Sequence, residues 1–444
     1  MRYLPLSNQD RESMLNTIGI ETIDDLFDEL PKSEVPQKLP SHKSELQVDR
    51  ELSQIANENL PYSRVPSFLG AGNYCHFIPA SLDYIIQRGE FLTSYTPYQP
   101  EISQGTLQVI FEFQTQVALI TGMEIANASM YDGATACAEA ISMASRINKR
   151  SKVLISGGVH PHYIDVSKTQ LKHLGFDIEV LEPNIFGKEE ILDKLDTDLS
   201  CLVVQNPSFF GDLQDYTAVA NECRDKGVLL IIVVTEPVSL GLIKTPGEMG
   251  ADIVVGEGQS LAGPSNFGGP GLGFFASLQK YVRQMPGRLC GQTFDKEGKR
   301  GFVLTMSTRE QHIRREKATS NICTNSGLIA LAFSVHLTLL GENGFNRLAN
   351  INHKNAVELS MRLKKNNKIN VINSSFFNEF VIELPRPAID IIDELVNLNI
   401  LSGIPVSRFY PNSPNLSNFM LVAVTEINTE SDLDLFANAL NEVL

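Results

Sequence analysis

Residues 256–275, GEGQSLAGPSNFGGPGLGFF, place seven glycines between two apolar runs and contain no lysine. Glycine at that density lets a backbone reach positive φ and approach a ligand closely. A Gly-rich connector of this kind is either a ligand loop or a permissive tight turn, and the loop alone does not choose. Its surroundings do. DIVV (252–255) leads directly into it, and VLIS (153–156), CLVVQ (201–205) and VLLIIVV (228–234) repeat the same continuous apolar pattern, with DIEVLE (177–182) and LGFFA (272–276) as two further candidates. Short apolar runs separated by helical stretches read as strands covered on both faces. They predict a mostly parallel α/β sheet whose ligands bind at the carboxyl ends of the strands.

The helical stretches support that reading. TLQVIFEFQTQVALITG sets Leu107, Ile110, Phe111, Gln114, Val117 and Ala118 at helical spacing. In YDGATACAEAISMASRI a glycine turn precedes Ala134, Cys137, Ala138 and Ile141. Amides at such a helix start suit a phosphate, and small residues there equally suit tight packing of helix on sheet. Beyond about residue 325, a long amphipathic helix, FFNEFVIELP, AIDIIDELVNLN, MLVAVTE and a last helix predict a smaller α+β domain. The Pro-rich EVPQKLPSHK interrupts the first 60 residues, which read as a helical arm. The expected division is 1–60 for the arm, 61–325 for the large domain and 326–444 for the small one.

Composition removes several function classes. The 444 residues are 43% hydrophobic and 20% charged with a net charge of −15, which is unsuited to a phosphate-backbone ligand, so no nucleic acid is expected. No run reaches the roughly 18–20 apolar residues of a membrane span, and MRYLPLSNQDRESML lacks the apolar region of a secretory leader. No membrane association is therefore expected, and a cytoplasmic location is. Cys75, Cys137, Cys201, Cys223, Cys290 and Cys323 are scattered and read as reduced thiols. Only His160-Pro161-His162 sets two histidines close together, without the ligand spacing of a metal site, and no metal is expected.

Taken in order, the Gly-turn helix, SGGVHPHY, VVQNPS, VLLIIVV, DIVV and the Gly-rich loop resemble the large domain of fold-type-I pyridoxal-phosphate enzymes. SFLGAGNYCHFIPA, TSYTPYQPEISQGTLQVIFEFQTQVALITGM, IANASMYDGATACAEA and STREQHIRREKATSNICT resemble, more narrowly, the amino-terminal half of glycine decarboxylase, the P-protein of the glycine cleavage system. Because the likeness covers one half, it points to the alpha chain of the split form. That form is expected to be a heterotetramer with a separate beta subunit. The resemblance implies a fold-type-I pyridoxal-phosphate-transferase-like large domain plus the smaller C-terminal α+β domain. It also implies decarboxylation of glycine with pyridoxal phosphate and transfer of the aminomethyl group to the lipoyl arm of the H-protein.

The same resemblance sets expectations residue by residue. The family's catalytic His-Lys pair falls on Gln259 and Ser260, and a serine forms no imine, so no catalytic residue is expected here and the cofactor is assigned to the beta subunit. The strand-end aspartate falls on Thr235, and the ring-stacking histidine on His160, read as a hydrogen-bonded structural residue in a degenerate site. Tyr95, Tyr98 and Gln99, held between prolines, and Arg309, His312, Arg314 and Arg315, basic in an acidic chain, are candidates for an active-site wall or an interface. Their plainer readings are a proline-braced packing loop and a solvated ion-pair face. Two rival functions are a scaffold that only stabilises the beta subunit, and a self-sufficient pyridoxal-phosphate enzyme using Lys244.

Overall fold

A computed structural model of the chain describes residues 6–30, 40–93, 96–187, 189–265, 269–322 and 325–444. Tyr95 and Cys323 lie outside them. The chain divides into two compact units, Met1–Leu60 and Pro61–Leu444. In the first, helices Asn8–Ile18 and Glu45–Asn57 each start at a serine capping box, Ser7 and Ser44, and neither helix buries a residue.

The second unit is built on a seven-stranded sheet: β1 (Ile125–Ala126), β2 (Lys152–Ile155), β3 (Asp177–Val180), β4 (Leu199–Gln205), β5 (Leu229–Val234), β6 (Ile253–Glu257) and β7 (Gly273–Ser277). Their order is β1-β7-β6-β5-β4-β2-β3, parallel from β3 to β6, with β7 antiparallel to β6 and β1 antiparallel to β7. All six apolar runs of the sequence are strands of this sheet. β4 and β5 are buried along their whole length, because helices cover both faces. The two-residue β1 is too short to leave a periodic signal.

A two-stranded ribbon follows, β8 (Leu289–Phe294) paired with β9 (Arg300–Thr305). The C-terminal part is an antiparallel sheet of β10 (Asn370–Val371), β11 (Glu379–Glu383), β12 (Ile404–Pro405) and β13 (Phe419–Ala423), in the order β10-β11-β13-β12. Helices Ala388–Asn397 and Glu430–Val443 pack on it. The expected boundary at residue 325 falls just before the helix Gly327–Leu363, which breaks at Gly341 (φ 60°, ψ −179°). Ala330, Phe333, Leu337, Phe345 and Ala349 belong to the large-sheet core, while Ala356, Leu359 and Leu363 belong to the small-sheet core. One interrupted helix thus serves two cores. Among the described residues it is the one helix long and apolar enough to cross a membrane, a pattern also expected of a core helix that packs against two sheets.

Candidate functional site

Register places the carboxyl ends of β4, β5 and β6 side by side, since Gln205 pairs with Val233 and Val234 with Gly256. Three strand ends therefore meet: Gln205-Asn206, Thr235-Glu236 and Glu257 leading into Gln259-Ser260. Ligands of such sheets bind here. Helix Pro161–Leu171 starts beside it with His160 as cap, and helix Gly133–Asn148 starts there with Asp132 as cap.

His160 is buried and fully committed. Its Nε2 donates to the Ala71 carbonyl at 2.9 Å, its Nδ1 accepts from the His162 N–H at 3.1 Å, and its own N–H reaches Gln205 Oε1 at 2.8 Å. Those two ring bonds fix the neutral tautomer, and burial pushes its pKa down to about 4. Gln205 Nε2 then donates to Thr235 Oγ1 at 3.3 Å. Ser260 is 2% exposed. Gln259 Nε2 bonds back to the Gly263 carbonyl at 2.6 Å. The rival lysine, Lys244, is far from buried and pairs with Asp215 at 3.1 Å and Thr217 at 2.7 Å.

The crevice is filled by the chain itself. Residues 70–76, from the sequence stretch SFLGAGNYCHFIPA, run through it. The Ala71 N–H and the Tyr74 hydroxyl donate to Glu379, at the start of β11, at 2.6 and 2.7 Å. Gly72 (φ +88°) lies so close to His160 that a Cβ there would sit 2.9 Å from Cδ2. Asn73 Oδ1 accepts from Ser265 of the Gly-rich loop at 2.5 Å. His76, with a 1% exposed side chain, bridges two carboxylates: Nε2 to Glu236 at 2.9 Å and Nδ1 to Glu426 at 2.8 Å. Burial alone would push His76 down, but the two carboxylates raise it to about 10; Glu426, against burial, is held at about 2 by His76 and the Phe77 N–H. Burial lifts Glu379 to about 7. At the third strand end, Glu257 accepts from the N–H groups of Gly133 (3.0 Å), Leu272 (2.7 Å) and Gln259 (3.1 Å).

These residues do not fit a pyridoxal phosphate. Position 260 has no amine, position 235 has no acid, the Gly133 amide that would face a phosphate already holds Glu257, and backbone lies on the His160 ring. Among the described residues no group of three or more His, Cys, Asp or Glu forms a metal site. Five cysteines, at 75, 137, 201, 223 and 290, are free and buried.

The wall candidates separate. The Tyr98 and His312 rings meet edge-on at 5.9 Å. Between them works a residue the sequence did not single out, Arg288, 2% exposed, which donates to Thr96 Oγ1 at 3.3 Å and the Tyr98 hydroxyl at 3.0 Å and faces Glu310 at 3.5 Å. Arg309 is expected to reach toward an anionic group, yet it is buried and donates to the carbonyls of Met285, Gly287 (3.1 Å) and Met306 (3.2 Å). A buried guanidinium needs all its donors satisfied, and the local backbone supplies acceptors. Gln99, Arg314 and Arg315 are exposed, and the helix Gln311–Arg314 is a single turn. Two clefts border the Gly-rich loop. One of about 850 Å³ is lined by Arg64, His76, Phe77 and Gln259, and one of about 590 Å³ by Leu92, Thr96 and Asn325; Pro270 and Ile329 line both.

The family model for the glycine cleavage system P-protein matches residues 1–440. This chain belongs to the P-protein family. A chain of Rhodospirillum rubrum named probable glycine dehydrogenase (decarboxylating) subunit 1 is 57% identical over 448 residues, covering all of both chains. The crystal structure of a glycine decarboxylase (P-protein) of the glycine cleavage system, in inhibitor-bound form, is 42% identical with a TM-score of 0.90 over all of both chains. The Lactobacillus brevis glutamate decarboxylase, 14% identical with a TM-score of 0.66 over 95% of this chain, shares the fold alone. The P-protein fold is thus the fold-type-I architecture of pyridoxal-phosphate enzymes, as the order of apolar runs implied.

Proposed function

We propose that this chain is the cofactor-free alpha subunit of a two-subunit glycine decarboxylase. In this reading the second, beta subunit holds pyridoxal phosphate on its own lysine. The assembly decarboxylates glycine and hands the aminomethyl group to the lipoyl arm of the H-protein, in the cytoplasm. The observation that carries the reading is the strand-end crevice, kept in outline and filled by residues 70–76 and Glu257.

What the chain contributes is a wall and a docking face. The clefts beside the Gly-rich loop, each with an exposed apolar residue in its lining, Phe77 in one and Leu92 in the other, offer apolar surface on which a partner of similar fold would exclude water. Arg288 holds Tyr98 rigidly at the edge of that face. Lys244, exposed and ion-paired with Asp215, lies outside the strand-end crevice and is a poor imine former.

The test is co-expression with the matching beta chain, then size exclusion, glycine–bicarbonate exchange and borohydride reduction with peptide mapping. Exchange only in the complex, and pyridoxyl-lysine only in the beta chain, are the expected results. A pyridoxyl-lysine peptide from this chain, or an elution volume unaffected by the beta chain, would sink the assignment.

A further inference from the structure

Two buried charged contacts at the strand ends, Glu257 at a helix start and the His76–Glu236 pair, flank a stretch of inserted backbone. Glu257 sits on the N-terminal amide of the helix Gly133–Asn148, where the helix dipole and free N–H groups favour an anion. The helix is packed tightly: a Cβ on Gly133 would meet the Tyr163 hydroxyl at 2.1 Å and the Gly256 carbonyl carbon at 2.9 Å. His76 lies on the carboxylate of Glu236, two residues past the end of β5, with 1% exposure on both side chains. Between the two, the Ala71–Gly72 backbone lies against the His160 ring.

Resting on the family reading above, we infer that this crevice is closed by an internal surrogate of the cofactor. The Glu257 carboxylate takes the anionic position at the helix start. The Ala71–Gly72 backbone closes the edge of the His160 ring, the Ala71 carbonyl accepting the Nε2 proton. The His76 imidazolium supplies the positive charge beside Glu236, the residue after the acid-free position 235. A cavity that merely lost its ligand would leave an unneutralised Glu236 and an open helix start, each costly in a low-dielectric interior. Here each is answered by a side chain of the correct sign. Glu379, accepting from Ala71 and Tyr74, anchors the inserted segment to the C-terminal sheet. The surrogate therefore also ties the two sheets of the unit together without any small molecule.

The experiment uses the full chain alone, so it can fail independently of the two-subunit assignment. Thermal unfolding is followed in inorganic phosphate and in chloride of matched ionic strength, for the wild type and Glu257→Ala, together with the visible spectrum on adding pyridoxal phosphate. The wild type is expected to show equal midpoints in the two salts and no cofactor absorbance shift. Glu257→Ala is expected to unfold several degrees lower in chloride and to recover at least half of that loss in tens of millimolar phosphate, as an anion enters the vacated helix start. Should the alanine variant not fold, Glu257→Ser carries the same comparison. Phosphate or cofactor uptake by the wild type, or a variant indifferent to phosphate, overturns the inference.

Discussion

Replacing His76 with alanine leaves Glu236 and Glu426 facing one another across the space of an imidazole, with no cation between them. In the native chain the ring is within 2.9 Å of one and 2.8 Å of the other, and its side chain is 1% exposed. Removing one partner of a buried pair costs about 3–5 kcal/mol. Unfolding entropy near 2.1 cal/mol/K per residue over a unit as long as Pro61–Leu444 turns that into a midpoint lower by roughly 4–6 °C. The pH dependence supplies a second signature. Because His76 is raised from 6.5 to about 10, its contribution is complete below about pH 6.5 and disappears as pH climbs toward 10. Glu379, raised to about 7, acts in the same direction between about pH 4.5 and 7, and His336, the imidazole nearest the cluster, is lowered by burial. Scanning fluorimetry from pH 6 to 10 should give a falling wild-type midpoint and a flatter, lower one for His76→Ala. Adding Glu236→Gln and Glu426→Gln to the alanine variant should restore part of the loss, since the unpaired charges are then gone. A midpoint within 1 °C of wild type, or an unchanged pH slope, would refute the charge bridge.

Two further outcomes follow from packing. Arg309→Ala should lower stability by about 1–3 kcal/mol by orphaning the carbonyls of Met285, Gly287 and Met306, whereas Arg314→Ala and Arg315→Ala, both exposed, should stay within about 0.5 kcal/mol in denaturant melts; equal effects at all three would contradict the division. Gly72→Ala and Gly175→Ala both place a Cβ at positive φ, +88° and +77°, but only the first meets another residue, so Gly72→Ala should cost about 1–3 kcal/mol and exceed Gly175→Ala in the same melts.

The sheet was legible because a buried parallel strand has nowhere to put a polar residue, so VLLIIVV and CLVVQ declare themselves. The vestigial site was legible for a complementary reason: Ser260 and Thr235 stand where charge or an amine would be expected, and a missing group is visible in one dimension. The groups that fill the space were not. His76, Glu236, Glu379 and Glu426 are spread over 350 positions, and each alone looks like an ordinary surface polar residue. Glu236 offered the best clue, a carboxylate two residues after a continuous apolar strand. Arg309 shows the same limit, since it sits among basic residues and only burial separates it, committed to the backbone, from Arg314 and Arg315, left in water.

The inserted segment has a consequence for the history of the chain. Restoring a lysine at 260 and an aspartate at 235 would recreate the letters of a working site and still leave no room for its ligand, because residues 70–76 would have to withdraw. Withdrawal in turn would take from Glu379 both of its donors and from Glu236 and Glu426 the cation between them. Neither substitution alone opens the crevice, because the obstruction is the inserted backbone rather than residues 235 and 260. Regaining a cofactor site here would therefore require the segment and its carboxylate partners to change together.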